Sequence, residues 1–396
     1  MLRGLEERIF DIVLTAGEPD QWAEWLRAPL ELAAALGDVE VMKRLQSVNA
    51  HGSALHGAAS GGQADIVKEL LMGGACPDAL DDRERSPLHV ASAWSGYTEI
   101  VDALLLSGCD KDTVDARQET PIHKATREGH LSVVQALAAA GADLELRSQV
   151  GTTALHIAAS VGNREVAQEL LLKGADKQAV DNTGCTPLHY AAREAHVAVL
   201  EVLAAPGANV NLRTNDSLRM TPLNFCAGRG KVEMMRSLLR HGADVNPTDQ
   251  GQSALHSAAW SRTGEAVDLL VEAGANVEQR DPRPNYADRT PLMFAAISCS
   301  LGATQALLNH GANANAQDSK GNSPLHLVCQ HLLEDAATVV DLLLRSGADE
   351  TVVDQSGQTP AGVLEDRERC ARARQLLENA PADRTWRRRC VFIVCR

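Results

Sequence analysis

Aromatic residues are scarce in this chain: Trp, Tyr and Phe together make up 3% of its 396 residues. So few large rings argue against a sandwich or barrel held by aromatic cross-strand pairs. No run of 18 or more apolar residues occurs, so no membrane-crossing helix is expected. A basic excess is also missing. Lys and Arg number 38 against 52 Asp and Glu, a net charge of −14, which argues against a general nucleic-acid binder that must neutralise phosphates. The nine cysteines form no CxxC pair. Glu6, Glu7 and Asp11 interrupt the first apolar residues, so no secretion signal is expected and the thiols are expected to be reduced, in cytoplasm or nucleus. No GxSxG, HExxH, GxGxxG or kinase-like set occurs. Gly228-Arg-Gly230-Lys231 lacks the spacing of a phosphate loop. An enzyme is not expected, nor a cofactor.

What the sequence has in abundance is periodicity. A Gly followed by a small residue recurs at Gly74, Gly108, Gly141, Gly174, Gly207, Gly242, Gly274, Gly311 and Gly347. A second mark keeps the same phase of about 33 residues. It reads Ser53-Ala-Leu-His56, Ser86-Pro-Leu-His89, Thr120-Pro-Ile-His123, Thr153-Ala-Leu-His156, Thr186-Pro-Leu-His189, Thr221-Pro-Leu-Asn224, Ser253-Ala-Leu-His256, Thr290-Pro-Leu-Met293 and Ser323-Pro-Leu-His326. Ser or Thr caps a first helix, and Pro sits at its first position, where no amide partner is lost. A Gly such as Gly62, Gly129 or Gly162 turns the chain into a second helix, with Ile66, Val67 and Leu70 on its apolar face. The recurrent Gly then ends that helix in a left-handed conformation. A polar stretch such as Asp176–Cys185 suits a projecting finger. One such unit cannot bury its own apolar face, so units must stack.

The unit Gly174-Ala-Asp-Lys-Gln-Ala-Val-Asp181-Asn-Thr-Gly184-Cys-Thr186-Pro-Leu-His189-Tyr-Ala-Ala192 resembles the ankyrin repeat. The resemblance covers residues 29–378, about ten units, the first and last degenerate. It implies an all-α solenoid of antiparallel helix pairs with hairpin fingers. It also implies a concave face of fingers and first helices that holds a protein or peptide partner, and a structural role for the repeated His in bonding backbone near the neighbouring finger. Residues 1–28, with Leu2, Leu5, Ile9, Ile12 and Val13 on one helical face, form a candidate N-terminal cap. Residues 379–396 form a tail in which Arg384, Arg387, Arg388, Arg389 and Arg396 alternate with apolar side chains. Weak contact of that tail with an anionic surface is the one membrane association to consider, and a monomer is expected.

Departures from the repeat mark where a partner would be read. The finger before Thr221 is longer by about two residues, and the one before Thr290, containing Tyr286, by about four. Pro206 should end its helix early. Arg83 and Arg85 precede Ser86 as Arg117 and Glu119 precede Thr120, while Trp94 falls near the row of Arg127 and Glu128. An aromatic residue beside basic and acidic groups has the composition of an interface centre. Arg83, Arg85, Trp94, Arg117, Glu119, Arg127, Glu128 and Tyr286 are therefore the candidate contact residues. His326, Cys329 and His331 lie close together, but lack the four-ligand spacing of a zinc site.

Overall fold

The computed structural model describes residue 34 and residues 51–94, 97–246, 252–261, 263–283, 286, 288–331, 336–364 and 371–380. The expected cap over residues 1–28 and, apart from residues 379–380, the expected tail over 379–396 lie outside these. The chain divides into two units, residues 1–182 and 183–396.

Unit 1 contains four helix pairs: α1 (His51–Ser60) with α2 (Ala64–Met72), α3 (Pro87–Ala93) with α4 (Thr98–Leu106), α5 (Pro121–Glu128) with α6 (Leu131–Ala139), and α7 (Ala154–Val161) with α8 (Arg164–Leu172). First helices pack on first helices, α1 on α3, α3 on α5 and α5 on α7, and second helices on second helices in the same order. Small residues permit this. Ala54, Ala58 and Ala59 are fully buried beside Leu55, and Ile66, Val67 and Leu70 close the layer from the second helix.

Unit 2 repeats the scheme with α9 (Pro187–Glu194), α10 (Val197–Leu203), α11 (Pro222–Gly228), α12 (Val232–Arg240), α13 (Ala254–Ala259), α14 (Glu265–Glu272), α15 (Pro291–Ile297), α16 (Leu301–Asn309), α17 (Pro324–His331) and α18 (Ala336–Arg345). Residues 371–380 are also helical. Helix α10 stops at Leu203, three residues before Pro206. Among the described residues no strand forms, so the chain is an all-α repeat solenoid whose fingers are hydrogen-bonded turns.

The caps follow from the sequence. Ser86 accepts a hydrogen bond from the His89 amide and Pro87 occupies the first helical position of α3. Gly174, at φ +95°, ends α8 with its amide on Leu171 O at 3.0 Å, and the Ala175 amide reaches Leu170 O at 2.9 Å. Fingers close at their base: the Asp81 amide donates to Arg85 O at 3.0 Å and the Asp115 amide to Glu119 O at 3.0 Å. In the longer fingers the same bond runs from Thr214 to Met220 and from Asp281 to Arg289. Neighbouring tips are tied together by Ala116 N to Arg83 O and Gln149 N to Arg117 O.

Candidate interaction surface

The repeated His is the joint between repeats. His89 Nδ1 accepts from the Ser86 amide at 3.1 Å, which leaves Nε2 carrying the proton, and Nε2 donates to Glu119 O at 2.9 Å. His56 reaches Arg85 O, His123 reaches Thr152 O, His189 reaches Met220 O, His256 reaches Arg289 O and His326 reaches Gln358 O. Each accepting carbonyl belongs to the residue just before the next repeat's capping Ser or Thr. Both ring nitrogens of His326 are committed in this way, to Ser323 and Gln358, and Cys329 is buried. Burial pushes His123 and His256 down to about 4, so both are neutral joints near pH 7. It also pushes the Cys109 and Cys226 thiols up to about 12, where they are not nucleophiles.

The second finger of unit 1 holds a charged corner. Glu119 is 5% exposed. One carboxylate oxygen accepts Arg127 Nη1 at 2.8 Å, the other accepts Nη2, and Lys124 is bonded to the same carboxylate. Lys124 Nζ also lies 2.7 Å from the Asp115 carboxylate, which accepts the Arg117 and Glu119 amides. Burial raises the Glu119 carboxyl, but its bonds with Arg127 and Lys124 more than offset that and hold it at about 2. Two buried acids thus neutralise two cations, and Arg127 is fixed with its guanidinium partly in solvent.

The eight candidate contact residues divide. Arg83, Arg117, Arg127, Glu128 and Trp94 are exposed, Trp94 to 56%. Trp94 ends α3, and Arg127 and Glu128 end α5, which packs on α3, so all three stand at the same end of neighbouring helices. Arg85 is half-buried and bonded to Asp81. Glu119 faces inward and acts on a surface only through Arg127. Asp115 and Lys124 complete the corner and were not singled out by sequence. Their spacing carries no periodic signal, though an acid, an acid and a Lys in one finger–helix corner was the available clue.

Tyr286 lies in unit 2. It stacks under Arg283, whose guanidinium carbon is 3.9 Å from the ring centroid and whose Nη2 meets Asp281 Oδ2 at 2.6 Å in a buried pair. Tyr286 and Trp260 both pack on Phe294, at 5.6 and 5.8 Å between centroids. Trp260 keeps 45% of its surface exposed. Tyr286 of the long finger, Trp260 at the end of α13 and Phe294 of α15 thus form an aromatic cluster within unit 2.

A sequence model described as ankyrin repeats matches residues 30–115, 92–181, 122–214, 212–281 and 282–380. The chain is 39% identical over 118 residues to a mouse protein named B-cell lymphoma 3 protein homolog, covering 30% of this chain and 25% of that one. Over 128 residues it is 28% identical to the Arabidopsis thaliana E3 ubiquitin-protein ligase KEG, covering 31% of this chain and 8% of the relative. A Caenorhabditis elegans protein, the Ankyrin repeat and LEM domain-containing protein 1 homolog, is 38% identical over 77 residues, 19% of this chain and 10% of its own. The similarity thus spans a quarter or less of each relative's length. The repeat matches, by contrast, run through almost the whole of this chain, and the chain belongs to the ankyrin repeat family.

Proposed function

We propose that this chain is a non-catalytic scaffold or adaptor that holds a protein or peptide partner on the finger and first-helix face of unit 1. One observation carries the reading: Trp94 is more than half exposed at the end of α3, beside a helix end where Arg127 is held in place by buried Glu119. A rigid ring next to a fixed guanidinium loses little freedom on binding, and such pairs dominate interface energetics. Arg83 and Arg117 on adjoining tips, with Glu128, form the polar border, and the Trp260–Tyr286 platform in unit 2 is a second contact. The family's known role in protein–protein interaction supports the reading. Affinity purification with the full chain, followed by mass spectrometry, identifies the partner. Trp94→Ala and Arg127→Ala, checked for folding, should lose it. Retention of every partner by both folded variants overturns the placement.

A second reading, a regulatory or substrate-receptor subunit of an enzyme complex such as a ubiquitin ligase, draws on the similarity to a relative named as such a ligase. It predicts ubiquitin-transfer proteins among the captured partners.

A further inference from the structure

The three most exposed large apolar side chains among the described residues share one repeat position. Met72, Leu106 and Leu172 are 82%, 88% and 82% exposed, and each stands two residues before the left-handed Gly that follows its second helix. Ala139 fills the position between Leu106 and Leu172 and is exposed too. Along the sequence the position stays apolar through Ala205 and then carries Arg240, Glu272, Asn309 and Arg345. The fold thus accepts polar residues here, and side chains this exposed add little to a core, so stacking does not account for the row. Helices α2, α4, α6 and α8 pack in that order, which sets the four residues side by side. Between α2 and α4 the row deepens into a groove of about 620 Å³, lined by Leu71 and Ala103 with Met72 and Leu106. Contiguous exposed apolar surface of this kind marks an interaction site.

Charge and spacing select the occupant. Lys68, Glu99 and Asp102 complete the lining of the groove, and Lys68 is paired with Glu99, so Asp102 is left as its net charge. Asp65 and Glu69 add two exposed carboxylates on α2. Helix α6 is uncharged, and α8 sets Glu165 and Glu169 against Arg164. A second copy would bring another negative face against this one, whereas a cationic partner complements it. Packed helices lie about 8–10 Å apart, so the row spans about 24–30 Å. Same-face residues of a strand are about 7 Å apart, out of step with the row. Helical residues seven apart rise about 10.5 Å and return to one face, close to the repeat spacing. We propose that the second-helix face of unit 1 docks a basic amphipathic helix of a partner protein. Its apolar stripe lies along Met72, Leu106, Ala139 and Leu172, and its Lys or Arg side chains meet Asp102 and the α2 carboxylates. Recognition of this kind rests on apolar anchors at helical spacing. Because it uses the second helices, it stands independently of a partner on the finger and first-helix face.

A fluorescent model helix of about 18 residues, long enough to cross four repeats, tests this. It carries Leu on one face and Lys on the other, and a matched peptide carries Glu in place of Lys. Each is titrated with the full chain and followed by fluorescence anisotropy. The Lys helix should bind at least tenfold more tightly than the Glu helix. Met72→Asn combined with Leu106→Asn should weaken the Lys helix at least tenfold, and Asp102→Asn should weaken it and flatten its salt dependence. Circular dichroism checks that the variants stay folded, as Asn309 at the same repeat position leads one to expect. Leu301→Asn, which removes an exposed apolar side chain outside the row, should leave binding unchanged. Absence of binding overturns the proposal, and so does binding that the double variant leaves intact or that Leu301→Asn weakens equally. Sedimentation of the chain alone covers the remaining occupant: self-association abolished by the double variant would assign the row to a second copy and overturn the proposal too.

Discussion

Glu119 grips Arg127 through both carboxylate oxygens from a position inside the protein, so a residue that cannot touch a partner orients one that can. Two replacements separate those roles. Glu119→Ala leaves Lys124 with Asp115 alone and Arg127 with no acceptor in the corner. Because both cations reach water, the expected loss is below that of a fully buried pair, about 1–3 kcal/mol in urea denaturation. Arg127→Ala should cost the partner affinity a comparable amount, with a smaller loss of stability.

Trp94 and Trp260 occupy matching helix ends but should answer differently to truncation. Trp94 is the more exposed, and Trp94→Ala should change stability by under about 0.5 kcal/mol while weakening partner binding by about 1–3 kcal/mol. Trp260 lies edge-on against fully buried Phe294, so Trp260→Ala should lower the melting temperature as well. Thermal melts beside binding titrations check both. Unfolding by Trp94→Ala would make that ring part of the core.

Positive backbone φ angles give paired tests of opposite sign. Gly151 sits at a finger tip at φ +83°, and an added Cβ would stand 2.6 Å from the Asn182 amide nitrogen. Gly151→Ala should cost more than 1 kcal/mol, through strain and the loss of the Asn182–Val150 backbone bond. Ala195 ends α9 at φ +68°, where α5 and α7 end in Gly129 and Gly162. Ala195→Gly should stabilise unit 2 by about 0.5–1 kcal/mol. Chemical denaturation of both variants gives the two signs.

The repeat phase, the caps, the early end of α10 and the two lengthened fingers were all legible in the sequence, because each rests on a local residue type at a fixed spacing. The inward turn of Glu119 was not. Arg83, Arg85, Arg117 and Glu119 look alike as charged finger residues, and which of them is buried depends on Lys124 and Arg127, five and eight residues further on, meeting it across a corner. Tyr97 shows the same limit. Its ring lies over Gly62 so closely that a Cβ there would stand 2.6 Å from it, a fit set by stacking of repeats and not by either residue's neighbours in sequence.

Acid should destabilise the array in two steps. His123 and His256 hold at about 4 against an ordinary value of 6.5, so between those values the unfolded chain binds protons that the folded chain refuses. Stability therefore falls as the pH drops from about 6.5 to 4. Each tenfold difference in proton affinity is worth about 1.4 kcal/mol. Glu119, held at about 2 against 4.5, adds a second loss as the pH falls from about 4.5 to 2. The chain itself supplies the control for the first step. Asn224 stands where seven of the nine repeat marks have His, accepts from the Thr221 hydroxyl and amide, and donates through Nδ2 to Gln252 O at 2.8 Å. An amide thus makes the same joint without titrating. The double variant His123→Asn with His256→Asn should keep its fold near pH 7 and lose much of the slope of stability between pH 6.5 and 4, leaving the step below 4.5 intact. Urea denaturation across that range measures it, and an unchanged slope in the double variant would show that other groups drive the first step.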